Sequence, residues 1–168
     1  MKIKTQKITI SAVLTALALI LGLLERWIPI PLPGVKLGLS NIVSLYALYT
    51  LGFPYAGSIL ILRCLLGSIF SGSITGLIYS FSGGLLSLLV MVLSKKASFF
   101  SIHGVSVLGA SAHSFGQIAA ASLMMSSPSV FVYLPVMLAV SVVTGLFVSA
   151  ITCLILKTLP DPRRMSIA

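Results

Sequence analysis

The sequence predicts an all-α integral membrane protein, a bundle of about six transmembrane helices with both termini in the cytoplasm. Three observations carry that prediction. Hydrophobic residues make up 58% of the 168 and charged residues only 8%, with a mean hydropathy of +1.16. A soluble domain of this length needs far less apolar surface. The apolar residues also gather in runs close to the roughly 20 that a helix needs to cross hydrocarbon. Finally, eight of the eleven Lys and Arg residues fall where six spans would keep them on one side. Lys2, Lys4 and Lys7 precede the first run, Lys95 and Lys96 separate the fourth from the fifth, and Lys157, Arg163 and Arg164 follow the last. The positive-inside bias makes that side the cytoplasm, so the chain is expected to be a multi-pass protein of the cell membrane.

The first span is read over residues 8–28 and stops at Pro29, Pro31 and Pro33. A basic start before an apolar stretch at 8–24 has the form of a secretory signal, but the rest of the chain is equally apolar and the stretch reads better as a span. The second span, 41–51, is short. It either begins near Leu37 or is a tilted or partly re-entrant segment, which a membrane protein tolerates where neighbours shield the backbone. Gly52, Phe53 and Pro54 form a turn signal that separates it from the third span at 55–70. The fourth, 73–93, contains Gly83 and Gly84, which allow close helix approach. The fifth, 105–125, carries most of the polar side chains within the membrane. The sixth begins near Pro135, which suits a first helical turn, and continues to 156. The loops are too short to hold a soluble domain, so 1–168 reads as a single transmembrane domain with cytoplasmic tails at 1–7 and 158–168.

The formal charge of +9 comes from eleven bases and two acids. Because the bases are spread between apolar runs and not gathered on one face, membrane lipid headgroups explain them better than nucleic acid does. Cys64 and Cys153 both lie in apolar runs and suggest neither a disulfide framework nor a metal site. With Glu25 and Asp161 as the acids, there are no paired carboxylates and no acid-rich Mg²⁺ motif. No phosphate loop is present either. No catalytic residue, metal site or cofactor is therefore expected, and the lack of acids argues against a self-sufficient prenyltransferase.

Three cations remain outside the cytoplasmic set: Arg26, Lys36 and Arg63. Lys36 sits in the outer segment LPGVKLGLSN, residues 32–41, with Gly34, Gly38 and the hydrogen-bonding Asn41. That segment reads as a ligand-covering loop or as an ordinary structured loop with a snorkelling lysine. Arg26 beside Trp27 has the form of an interfacial anchor, or contributes to a site. Glu25 is free in sequence terms to neutralise Lys36 or Arg63, or to meet a cationic group on a ligand. Arg63 falls roughly 13–15 Å into the bilayer at 1.5 Å per residue, near its midplane. It must face the interior, either in a structural pair or in an anion site. His113 and Gln117 are four apart on one face of the fifth span, a pattern for an interhelical hydrogen bond or a cavity wall. Across from them the fourth span offers Tyr79, Ser82, Gly83 and Ser87. Three bases against one acid favour an anionic or phosphorylated ligand. Ala12 and Ala16, four apart on the first span, form a small pair for internal packing or for a docking partner.

The segments LPGVKLGLSN, ALYTLGFPYA, LRCLLGS, SGGLLSLLVM and GASAHSFGQ resemble those of the small membrane family named Gx transporter, also labelled heptaprenyl diphosphate synthase component I. The resemblance runs from about residue 8 to 156. That family in turn looks like the substrate-binding S components of energy-coupling factor importers. It implies capture of a small metabolite from outside, a covering loop holding Lys36 and Asn41, and a span-one alanine motif, here Ala12 and Ala16, that docks a coupling transmembrane subunit working with ATPase subunits. The second label implies instead a membrane accessory role in heptaprenyl diphosphate synthesis. Read from the residues themselves, the candidate substrate-binding set is Lys36, Asn41, Arg63, His113 and Gln117, with Glu25, Arg26 and Ser82 beside them.

Overall fold

The computed structural model describes residues 2–27, 38–97 and 99–158, without the side chains of 2–4 and 26. It contains six α-helices and no strand among the described residues: α1 (Lys2–Leu24), α2 (Asn41–Thr50), α3 (Phe53–Ser71), α4 (Ile74–Lys96), α5 (Ile102–Met124) and α6 (Leu134–Thr158). Four segments are long and apolar enough to cross a membrane, at Thr5–Leu24, Phe53–Ser71, Ile74–Lys96 and Pro128–Thr158. The fifth helix matches them in length, but its serines, glycines, histidines and glutamine hold it below the same apolarity.

The helix boundaries differ from the sequence expectation at several ends, each for a local reason. α1 starts at Lys2, since nothing in its basic first turns opposes a helix, and gives way to a 3₁₀ turn at Glu25–Trp27 ahead of the prolines. Phe53 and Pro54 belong to the first turn of α3, where a missing proline N–H costs nothing. Ser73 caps α4 by accepting from the amide of Gly76 at 3.0 Å. That helix runs on to Lys96, placing Lys95 and Lys96 in a last turn whose dipole favours cations. Ser101 caps α5 in the same way as Ser73 caps α4. A 3₁₀ segment, Pro128–Tyr133, leads into α6.

The packing closes into a ring. α1 lies on α3, α3 on α4, α4 on α5, α5 on α6, α6 on α2, and α2 on α1. Ten residues of helix rise about 15 Å, half the hydrocarbon thickness, so α2 cannot serve as a full span. Instead it sits inside the bundle, touching α3 and α4 as well, and every one of its residues but Tyr49 is buried. It begins at Asn41, not near Leu37, because Gly38–Ser40 form a turn closed by Asn41 N–H to the Gly38 carbonyl at 2.8 Å. Leu45, Ile59, Leu60, Leu88, Met91 and Val105 fill the core around it.

The outside is apolar: Ile69, Val136, Val143 and Leu154 are each more than half exposed. In water such a surface would aggregate; in a membrane it faces lipid. Contacts between helix ends fix alternating directions. Lys7 lies 5.9 Å from the ring of Tyr55 at the start of α3. Lys95 donates to the Leu48 carbonyl near the end of α2 at 2.8 Å. His103 at the start of α5 shares a 2.8 Å hydrogen bond with Ser149 in the second half of α6. Lys7, Lys95, Lys96 and Lys157 therefore collect at one end of the bundle.

Candidate functional site

A cavity of about 480 Å³, its open mouth included, lies in the half of the bundle away from the basic end. α1 supplies Ala18, Leu19, Gly22 and Leu23, with Glu25 beyond them; α3 supplies Arg63, Cys64, Gly67 and Ser68. Gly76 and Ser80 of α4, His113 of α5 and Ser40 just ahead of α2 complete the wall.

Arg63 is the one strong charge driven to this depth by α3, and it is only 8% exposed. Its Nη1 donates to Ser40 Oγ and its Nη2 to Asn41 Oδ1 at 3.3 Å, while Nε has no partner among the described residues. Ser40 occupies the cap position of α2, yet its side chain makes no capping bond. Its oxygen serves Arg63 instead. Both acceptors are neutral, and both stand at the N-terminus of α2, where the helix dipole is positive. A guanidinium and a helix N-terminus thus aim the same sign of charge at one place, an arrangement that suits an anion. Glu25, 2% exposed, accepts from the amide of Leu39 through Oε1, which ties the end of α1 to the turn before α2.

The polar side chains of α5 reach the same region through close helix approach. Gly38 has φ +84, and a Cβ there would lie 2.9 Å from Asn41 Nδ2 and 3.3 Å from His113 Cδ2. On the other side of the imidazole, a Cβ on Gly83 would lie 3.1 Å from His113 Cε1 and 2.8 Å from Gln117 Cγ. His113 is consequently wedged between the turn and α4, and Gln117 is wholly buried one turn further along. The hydrogen bond between Ser114 and Ser141 at 2.6 Å ties the back of α5 to α6.

Of the sequence-predicted residues, Glu25, Arg63 and His113 line the cavity, and Asn41 joins them through its bond to Arg63. Gln117 packs behind His113 without lining the cavity. Ser82 is half-buried and spends its hydroxyl on its own helix, donating to the Ile78 carbonyl at 2.8 Å; it is not brought to the cavity. Lys36 and the side chain of Arg26 lie outside the described residues. The α1 wall, Ser40, Ser68 and Ser80 also line the cavity and are not among the residues that the sequence singles out. Only Ser40 carried a signal, a capping residue type directly before an apolar run. Among the described residues no group of three His, Cys, Asp or Glu side chains gathers to hold a metal.

The family model described as heptaprenyl diphosphate synthase component I matches residues 14–155. The chain belongs to that family. The match takes in every cavity-lining residue, from Ala18 to His113. No curated protein and no solved structure matches the chain significantly. The family's description names one component of a multi-component system and thereby implies a partner.

Proposed function

We propose that this chain is the membrane-embedded substrate-binding subunit of an energy-coupling factor type importer, capturing a small anionic metabolite from the outer side. In this reading all six helices belong to the cell-membrane-embedded bundle, both termini are cytoplasmic, and a coupling transmembrane subunit and ATPase subunits are separate chains. The observation that carries it is Arg63: a buried cation at the N-terminus of α2, facing a cavity and hydrogen-bonded to neutral oxygens. A desolvated charge is costly to keep, and a bound anion offsets that cost. Asn41 and His113 complete the polar surface, Gln117 backs His113, and Glu25 sets the outer edge.

Two further features support the reading. The clustering of Lys7, Lys95, Lys96 and Lys157 at the end opposite the cavity suits a cytoplasmic end. Ala12 and Ala16 are both exposed on α1, as a docking face for a coupling subunit requires and as internal packing does not.

The family's description favours a second reading, an accessory membrane component of heptaprenyl diphosphate synthesis. There Arg63, Arg26 and Lys36 hold a diphosphate while a separate soluble chain carries out the condensation. Gentle purification of the tagged chain from its native membrane, with mass spectrometry of what accompanies it, tests both. A coupling subunit and ATPases are expected. An acid-rich prenyl synthase without any ATPase overturns the importer in favour of the second reading.

A further inference from the structure

The two sides of the cavity differ in chemistry. Everything that α1 contributes along its length is apolar: Ala18, Leu19, Gly22 and Leu23. The opposite side carries Arg63, Ser40, Ser80 and His113. A small hydrophilic anion such as free phosphate or a short hydroxy acid would leave the α1 wall facing an empty or wetted space. It would gain nothing from that apolar surface. Gly22 makes the point sharper. It lines the cavity, and a Cβ built on it meets nothing within 4 Å. The wall there is recessed, and the recess is apolar.

From this we infer that the ligand is an amphiphile: a compact anionic head, carboxylate or phosphate, held at Arg63 and the α2 N-terminus, with an apolar body laid along Leu19, Gly22 and Leu23. The inference rests on the anion-binding reading above and adds the second half of the molecule. The head accounts for the guanidinium and its neutral partners, since Arg matches either oxyanion in a fork. The body accounts for the recess. Only a small part of the space between these walls is enclosed, the rest being open to the mouth, so the body is short. A long polyprenyl chain would have to leave through the mouth.

Binding to the full chain in lipid nanodiscs tests this with two homologous series, methyl and hexyl phosphate, and acetate and hexanoate. Comparison of the series tells which head is preferred. In the native protein the hexyl member of the preferred series binds at least tenfold more tightly than its one-carbon counterpart. Gly22→Leu, whose Cβ meets no neighbour within 4 Å, projects into the recess and brings that ratio close to one. Because both proteins sit in the same lipid, partition of the hexyl chain into the bilayer cancels between them. Arg63→Met abolishes binding of both members, and Arg63→Lys restores part of it.

Equal affinity for short and long members, with binding still dependent on Arg63, overturns the amphiphile and leaves the anion reading standing. A hexyl advantage that Gly22→Leu does not reduce also overturns it. Binding indifferent to Arg63 overturns the anion reading and this inference together, as does the absence of binding by any of the four probes.

Discussion

Arg63 concentrates the chemistry of this protein because α3 places a permanent charge beside a cavity, where it donates to the neutral oxygens of Ser40 and Asn41 at a helix N-terminus. Its replacement by Met keeps much of the side-chain length and removes the charge. On the proposed anion-binding reading, affinity for the preferred anionic probe should fall at least tenfold, or about 1.4 kcal/mol. Thermal stability without ligand should hold or rise, since the variant no longer desolvates a cation beside the positive end of α2. A loss of about 3–5 kcal/mol in the free protein with affinity unchanged would assign Arg63 to structure alone. The sequence made Arg63 conspicuous, because a charge inside an apolar run is rare and expensive. It gave no view of Ser40 as the acceptor, because a serine before a helix normally caps that helix. The bond from Leu39 to Glu25 was equally hidden, since it depends on how the intervening segment folds back.

Among the elements, α2 is the one whose stability depends most on its neighbours. Ten residues make too short a helix to persist by propensity, and half a bilayer of buried backbone leaves its last carbonyls in need of donors. Lys95 supplies one. Its ammonium donates to the Leu48 carbonyl and lies 4.4 Å from the centre of the Tyr49 ring. Lys95→Met should lower the unfolding free energy of the chain in nanodiscs by about 1 kcal/mol, and Lys96→Met, one residue along, should leave it unchanged. Equal effects from the two would reduce Lys95 to a generic basic residue. From the sequence, Lys95 is readable only as a marker of the cytoplasmic side, and the length of α2 only as a choice between a hidden start and a buried half-span. Burial decides for the half-span, and burial belongs to the assembled bundle. The outlines of α3 to α6 were readable because turn residues bracket long apolar runs. Their ends moved by a few residues because caps such as Ser73 and Ser101 act through side-chain geometry that composition does not carry.

For the molecule as a whole, the ring of helices separates two features along its length: a polar cavity toward one end, and on α1 a pair of exposed alanines nearer the other. Ala12 and Ala16 lie among Ile8, Val13, Leu17 and Ile20, all at least 45% exposed, so small and large residues alternate on one outward surface. Lipid has no need of the small ones, whereas a crossing helix does, because close backbone approach is what stabilises helix pairs in a bilayer. On the proposed importer reading, either Ala12→Leu or Ala16→Leu should abolish recovery of a coupling subunit with the tagged chain. Neither should alter the thermal stability of the isolated chain, since the new side chain projects outward and leucine is a good helix former. Binding to the isolated chain should also persist, because the cavity wall on α1 begins at Ala18 and faces inward. Leu17→Ala serves as the control that removes bulk from the same surface and should leave the complex intact. Retention of the partner by both bulky variants would move the docking surface elsewhere, to α6 or to the basic end, while leaving the anion-binding proposal for the cavity untouched.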